Sequence, residues 1–339
     1  MEFLYNYGLF LAQAITIVAA IVAVIVAVAA TAIKPKSDRG EIEIEDISAH
    51  LQDVKHQFEA QVLSKETLKQ RQKDQKKALK AENKGEQPEK PHLFVIDFNG
   101  STDANEVESL REEITAVLTI ATDKDEVLLK VESPGGVVHG YGLAASQMMR
   151  LKDANIPLTV SVDVVAASGG YMMACVADKI IAAPFAIIGS IGVMAQIPNF
   201  NKILKKYDVD YELFTAGEYK RTVTMFGEND EKGRAKFKQE LEEVHTLFKD
   251  FVVGNRASLD IDSVATGEHW YGSDALKKGL VDHLQTSDDY LMSKSDSHKV
   301  IGVKCSIKLG IVEKLGLSLS IGADRLLLKW WQRSQTPIK

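Results

Sequence analysis

From Phe3 to Ile33 the chain carries no charged residue, and Ile17–Ala30 is an unbroken run of Ala, Ile and Val. A helix rises about 1.5 Å per residue, so this stretch is long enough to cross a hydrocarbon core of about 30 Å. The pattern predicts an N-terminal transmembrane helix, with 1–33 as an anchor. A cleaved signal peptide is the alternative, because Ala30-Thr31-Ala32 resembles a small-residue cleavage site. Against it, the segment before the apolar run holds Glu2 and no Lys or Arg, and the run exceeds an ordinary signal-peptide core. Lys34, Lys36 and Arg39 come directly after the span, and the positive-inside rule therefore places the chain beyond Ile33 in the cytoplasm. A second charge-free stretch, Ile180–Ile197, contains Pro184, Gly189, Ser190 and Gly192. Those breakers predict a buried strand–turn–strand there.

Residues 34–91 read as a charged helix and linker. Ile47, Leu51, Val54, Phe58 and Val62 recur at three- and four-residue steps, which predicts an amphipathic helix with a narrow apolar stripe. After Leu68 the pattern dissolves into charge punctuated by Gly85, Pro88 and Pro91, as in a solvated linker. Over 92–290 strands alternate with helices. Strands are predicted at 93–98, 126–131, 157–165 and 179–184, and helices at 106–121, about 138–151, from Gly169 and near 200–207. That alternation implies an α/β core of largely parallel strands, with ligands beyond the carboxyl ends of the strands. Residues 291–339 read as a C-terminal extension of short apolar pieces.

Composition removes several classes of function. The 339 residues carry 41 Lys and Arg against 47 Asp and Glu, a net charge of −6, so nothing electrostatic argues for nucleic-acid binding. Two cysteines, Cys175 and Cys305, exclude a disulfide scaffold and a cysteine-ligated zinc site, and both are expected to be free.

Two turns fall at strand ends. Ala166-Ala167-Ser168-Gly169-Gly170 lies between an apolar strand and a helix, where small neighbours let a substrate backbone approach Ser168. The Gly169 amide would sit at that junction, suited to developing negative charge. The plainer alternative is a helix N-cap with glycines for packing. Ser133-Pro134-Gly135-Gly136 is a second turn, and a Gly-Gly step there presents backbone N–H groups as an oxyanion hole requires. A nucleophilic serine needs a base. His139 is the only histidine between His92 and His245, no Gly-x-Ser-x-Gly elbow surrounds Ser168, and Tyr171 stands where a Ser-x-x-Lys motif needs lysine. A distant lysine remains, and Lys220 in Ala216-Gly217-Glu218-Tyr219-Lys220-Arg221 is a candidate. A lysine base must be desolvated, since the reference value of about 10.4 has to fall by several units.

The strings Glu132-Ser133-Pro134-Gly135-Gly136, Ala166–Tyr171 and Gly189-Ser190-Ile191-Gly192-Val193 resemble the signal peptide peptidase A family of membrane serine proteases. Ala265-Thr266-Gly267-Glu268-His269-Trp270-Tyr271-Gly272, with Ala275 and Gly279-Leu280-Val281-Asp282, is also similar to it. The resemblance covers about 92–290, and the half-size catalytic unit with one span is most similar to the SohB branch, from Gram-negative bacteria. It implies a Clp protease/crotonase-like core and a Ser–Lys dyad, with Ser168 matching the nucleophile and Lys220 the general base. Gly136 and Gly169 match the oxyanion-hole positions. It further implies homo-oligomeric rings whose serine and lysine come from neighbouring protomers, and an inner-membrane protein with its catalytic domain in the periplasm, against the positive-inside reading. A Clp-type triad needs a histidine shortly after the serine, and none lies between Ser168 and His245.

The expected protein is thus a membrane-anchored serine endopeptidase acting on membrane-derived or misfolded polypeptides, without metal or nucleotide. A silent membrane scaffold or peptide-binding protein on the same fold is the first rival. A crotonase-like acyl-CoA enzyme, which shares the turns but needs no Ser–Lys pair, is the second.

Overall fold

Two kinds of strand set the architecture. Glu41–Asp46 (β1) alternates Glu and Ile and is mostly exposed, whereas His92–Asn99 (β2) buries residues on both faces. The computed structural model describes residues 5–11, 13, 15–18, 40–71, 73 and 90–306, and Ile42–Cys305 form one compact unit. Among the described residues no helix is long and apolar enough to cross a membrane, and 19–33 of the expected span lie outside them. The residues described before it, 5–11 and 15–18, are helical and exposed.

The amphipathic pattern at 47–62 is a helix, α1 (Ile47–Val62), opened by Asp46, whose carboxylate accepts from the Ala49 N–H at 2.9 Å. Its apolar stripe is covered only at its start: Ile47 packs on the core, whereas Val54, Phe58 and Val62 are exposed. After β2 come α2 (Val107–Ile120), β3 (Glu126–Glu132), α3 (Val138–Asp153) and β4 (Leu158–Val162). The chain continues through β5 (Val165–Ala167), α4 (Gly169–Ala174), β6 (Lys179–Ala182), β7 (Ile187–Gly189) and α5 (Asn201–Lys206). It ends with α6 (Glu231–Asn255), α7 (Ile261–Val264), β8 (His269–Tyr271), α8 (Gly272–Lys277), β9 (His283–Leu284), α9 (Ser287–Lys294) and β10 (Lys299–Ser306).

Seven strands form the main sheet in the order β1-β10-β2-β3-β4-β6-β9, and from β10 to β9 neighbouring strands run parallel. Parallel strands covered on both faces need near-continuous apolar runs rather than alternation. On one face Phe94, Ile96, Phe98, Leu129 and Val131 pack with Leu110, Ile114 and Val117 of α2 and Met148 of α3. On the other, Leu93, Val95, Leu128, Ile181 and Val300 gather around Tyr290 of α9. Beside the start of α9, that second face turns polar and opens into a trough of about 380 Å³ lined by Asp97, Asn99, Lys130, Glu132, Ser161 and Asp163, among others.

The strand expected at 157–165 divides. Its first half stays in the main sheet, and its second half, β5, joins a small sheet of order β5-β7-β8. Asp163 marks the break: its carboxylate accepts from the backbone N–H and the hydroxyl of Ser287, at 2.9 and 2.5 Å, where α9 begins. The division turns the chain out of the main sheet just before Ser168. Cys175 and Cys305 are both free and buried, as expected.

One buried group makes stability depend on pH. Glu113 on α2 is only 5% exposed, and its carboxylate accepts from the Cys305 N–H of β10 at 2.8 Å. Burial outweighs that hydrogen bond, and with Asp97 nearby the carboxyl is pushed up from 4.5 to about 7. An acid whose pKa is raised on folding costs stability as pH climbs from the unfolded value to the folded one, with no further loss above. Wild type should therefore lose about 3 kcal/mol between about pH 4.5 and 7 through this group. Glu113→Gln keeps the acceptor without the charge and should flatten that slope in urea unfolding measured across this range. Equal slopes in the two proteins would contradict the assignment.

Candidate active site

Ser168 stands between β5 and α4 with φ 52° and ψ −115°. A positive φ is strained for a residue with a Cβ, at about 1–3 kcal/mol, and persists only where the surroundings enforce it. Here they do. The Ser168 N–H donates to the Gly189 carbonyl at 2.8 Å, its own carbonyl accepts from the Met172 N–H at 2.9 Å, and the preceding Ala167 N–H donates to the Ser133 carbonyl at 3.0 Å. A strand, a strained serine and a helix succeed one another, so the side chain is presented at a sharp corner, as in a nucleophile elbow, with Ala166 in place of that motif's first glycine and Gly170 at its second.

The Ser133–Gly136 turn is brought to the same place by a parallel bridge between Ser133 and Ala166. Gly135 has φ 86°, and a Cβ there would lie 2.6 Å from Gly169 N and 2.8 Å from the Ser168 Cβ. Gly136 is equally constrained, since a Cβ would fall 2.0 Å from the Thr102 carbonyl oxygen. The Gly135 N–H is taken by Ser133 Oγ at 3.1 Å. Among the described residues neither the Gly136 nor the Gly169 N–H donates a hydrogen bond. Two backbone donors with no partner among the described residues thus lie on the two turns that meet at Ser168.

The later motifs form the rear wall. Gly189, whose carbonyl holds Ser168, has its backbone against the Trp270 ring, and the Ser190 N–H donates to the Glu268 carbonyl at 2.6 Å. Lys278 lies over the Trp270 ring, 4.7 Å from its centroid. Tyr171, next to the site, is fully buried and donates to the Leu280 carbonyl at 3.0 Å. Asp282 accepts from the Ile180 N–H and forms two hydrogen bonds with Arg256. These motifs, conspicuous in the sequence, therefore hold the corner in shape.

Ser168 and Gly169 meet the Ser133–Gly136 turn, whereas no hydrogen bond or ion pair among the described residues links Lys220 to them. It is exposed, its N–H donating to Gly217 O at 3.2 Å, and no hydrogen bond or ion pair reaches its side chain among the described residues. Its neighbours are tied down: Glu218 pairs with Lys232 of α6 at 2.5 Å, and Lys232 and Lys236 lie over the Tyr219 ring. The surrounding segment exposes Met194, Ile203, Val209, Leu213 and Phe214. His139 is also exposed, on the first turn of α3. Neither Ser168 nor Lys220 lines the polar trough.

Residues 2–148 match the model for "Peptidase family S49 N-terminal", and residues 150–301, which include Ser168 and Lys220, match "Peptidase family S49". "Probable protease SohB" of Haemophilus influenzae is 51% identical over 340 residues, covering 97% of this chain and 96% of its own. The protein of that name from Buchnera aphidicola subsp. Schlechtendalia chinensis is 48% identical over 305 residues, 87% of this chain and all of its own. "Protease 4" of Haemophilus influenzae is 30% identical over 200 residues, 57% of this chain and 32% of its own. The chain belongs to peptidase family S49, in its SohB branch. Its mixed α/β fold with a large parallel sheet fits the Clp protease-like fold of that family.

Proposed function

We propose that the protein is a membrane-anchored serine endopeptidase in which Ser168 is the nucleophile and Lys220 the general base. The observation that carries this reading is the strained backbone of Ser168 at a strand–helix corner, beside the free amides of Gly136 and Gly169. Ser168 Oγ attacks the scissile carbonyl carbon and its proton passes to Lys220 Nζ. The carbonyl oxygen, now negative, is held by the two amides. The intermediate collapses, the C–N bond breaks, and the leaving amine takes the proton from Lys220. Water then attacks the acyl-enzyme by the same route and frees the serine.

An exposed lysine on an apolar segment fits a site completed between protomers, the partner subunit's Lys220 entering beside Ser168. Packing of that segment against a neighbour would supply the desolvation a lysine base needs. Residues 3–33 would hold such a ring at the inner membrane, within reach of membrane-derived or misfolded polypeptides.

A fluorophosphonate tests the nucleophile directly. Ser168 Oγ bonds to phosphorus, fluoride leaves and the hydroxyl proton goes to the base. Mass spectrometry of the full-length protein should place the label on Ser168, with none on Ser168→Ala. Labelling elsewhere, or none, would overturn the reading.

A further inference from the structure

Tyr141, on the first turns of α3, is fully buried, packs against Gly169 and reaches the Ser133–Gly136 turn through the Ser133 hydroxyl. Its ring lies flat against Gly169, so close that a Cβ there would sit 2.4 Å from the Tyr141 Cγ. Its hydroxyl meets Ser133 Oγ in a short hydrogen bond and donates to the Ser101 carbonyl at 2.8 Å. Ser133 Oγ in turn accepts from the Gly135 N–H at 3.1 Å and lies 3.2 Å from the Gly100 carbonyl. The Gly135 amide is thereby occupied, and the next amide, Gly136, has no partner among the described residues. The loop that carries Ser101 is itself fixed, since Glu106 accepts from both its N–H and its hydroxyl at 3.0 Å.

Two hydroxyls supply two protons for three contacts: Tyr141 to Ser101, Ser133 to Gly100, and Tyr141 with Ser133. The cluster is therefore a shared network rather than a set of independent bonds. Burial raises the Tyr141 phenol above its ordinary value, so it stays protonated and remains a donor.

We propose that Tyr141, acting with Ser133, is a positioning residue that sets the spacing and direction of the Gly136 and Gly169 amides. The proposal rests on Ser168 being the nucleophile. Hydroxyl and ring have separable parts: the ring spaces Gly169, and the hydroxyl, through Ser133, aims the Gly135–Gly136 peptide. Donors that act on a transition state lose effect steeply when displaced, at about 100-fold per ångström of misplacement.

The test uses full-length protein and a fluorophosphonate, read for both final stoichiometry and second-order labelling rate. Tyr141→Phe keeps the ring and removes the hydroxyl, and Ser133→Ala removes its partner. Each should reach the wild-type stoichiometry, showing Ser168 present and folded, but label about 10- to 100-fold more slowly. The double variant should be little slower than either, because both act through one network. The pH dependence of labelling should keep its shape, since the base is untouched. A merely structural role predicts the opposite pattern: fewer labelled sites, each reacting at the wild-type rate. Wild-type rates in both variants would overturn the positioning role alone. An unlabelled Ser168 in wild type would instead overturn the nucleophile on which it rests.

Discussion

Ser168→Ala and Lys220→Ala are each expected to lower peptide-bond hydrolysis by about ten-thousand-fold or more, and the double variant to be no worse than the more damaging single one. Nucleophile and base act as one unit, so removing the second has little left to remove. The amides of Gly136 and Gly169 survive these changes, and residual turnover above the uncatalysed rate would come from them. His139→Ala should keep most activity, because His139 is exposed and bonded to neither turn. Turnover by Lys220→Ala beside an inactive His139→Ala would sink the dyad. The strained corner adds a second signature. Ser168→Gly should be inactive yet more resistant to unfolding by about 1 kcal/mol, because glycine adopts a φ of 52° without the Cβ penalty. A Ser168→Gly protein less stable than Ser168→Ala would argue against strain at this residue.

Mixing the two inactive single variants should restore hydrolysis. If the site is shared between protomers as proposed, some interfaces of a mixed ring bring an intact Ser168 to the partner subunit's Lys220, whereas within every chain one of the two is missing. If half of the chains are of each kind and mixing is random, about one quarter of the sites are complete, which sets the expected recovery at roughly a quarter of wild type. Two affinity tags, one per variant, establish that mixed rings form. Rings that carry both tags and stay inactive would mean that each chain completes its own site. The exposed apolar residues around Lys220 supply a companion measurement: Phe214, 86% exposed in the chain, should become protected from hydrogen exchange and labelling when rings assemble.

Much of the fold was legible because long apolar runs and long amphipathic periods leave little choice. The strands at His92–Asn99 and Glu126–Glu132 and the helices at Val107–Ile120 and Val138–Asp153 fall within a residue or two of the sequence pattern. The division at Asp163 was not legible, since the β-branched run continues on both sides and the reason for the turn is Ser287, 124 residues away. β1 and β10 escaped for a related cause: charged or polar residues interrupt the apolar positions of both, and pairing between distant segments leaves no local mark. Ser168 and the two glycine turns stood out by residue type, but the positive φ of Ser168 did not, because serine is not a residue that advertises such a conformation. Tyr141 reads in the sequence as one more aromatic on the packed face of a helix. Only its contacts distinguish it.

The strand order carries a consequence for synthesis. β10 lies between β1 and β2, so the last of the described strands to leave the ribosome occupies an inner position of the sheet. At about 5–20 residues per second, β1 waits roughly 10 to 50 s for its neighbour. From the completion of β9 until β10 emerges, β2 presents an open hydrogen-bonding edge while the strands beyond it, and the strands beside Ser168, have everything they pair with already made. An unfinished chain thus holds a formed reactive corner beside an unsealed edge, a state in which strand capture by another nascent chain is the natural hazard. The closing strand is the one that ends it.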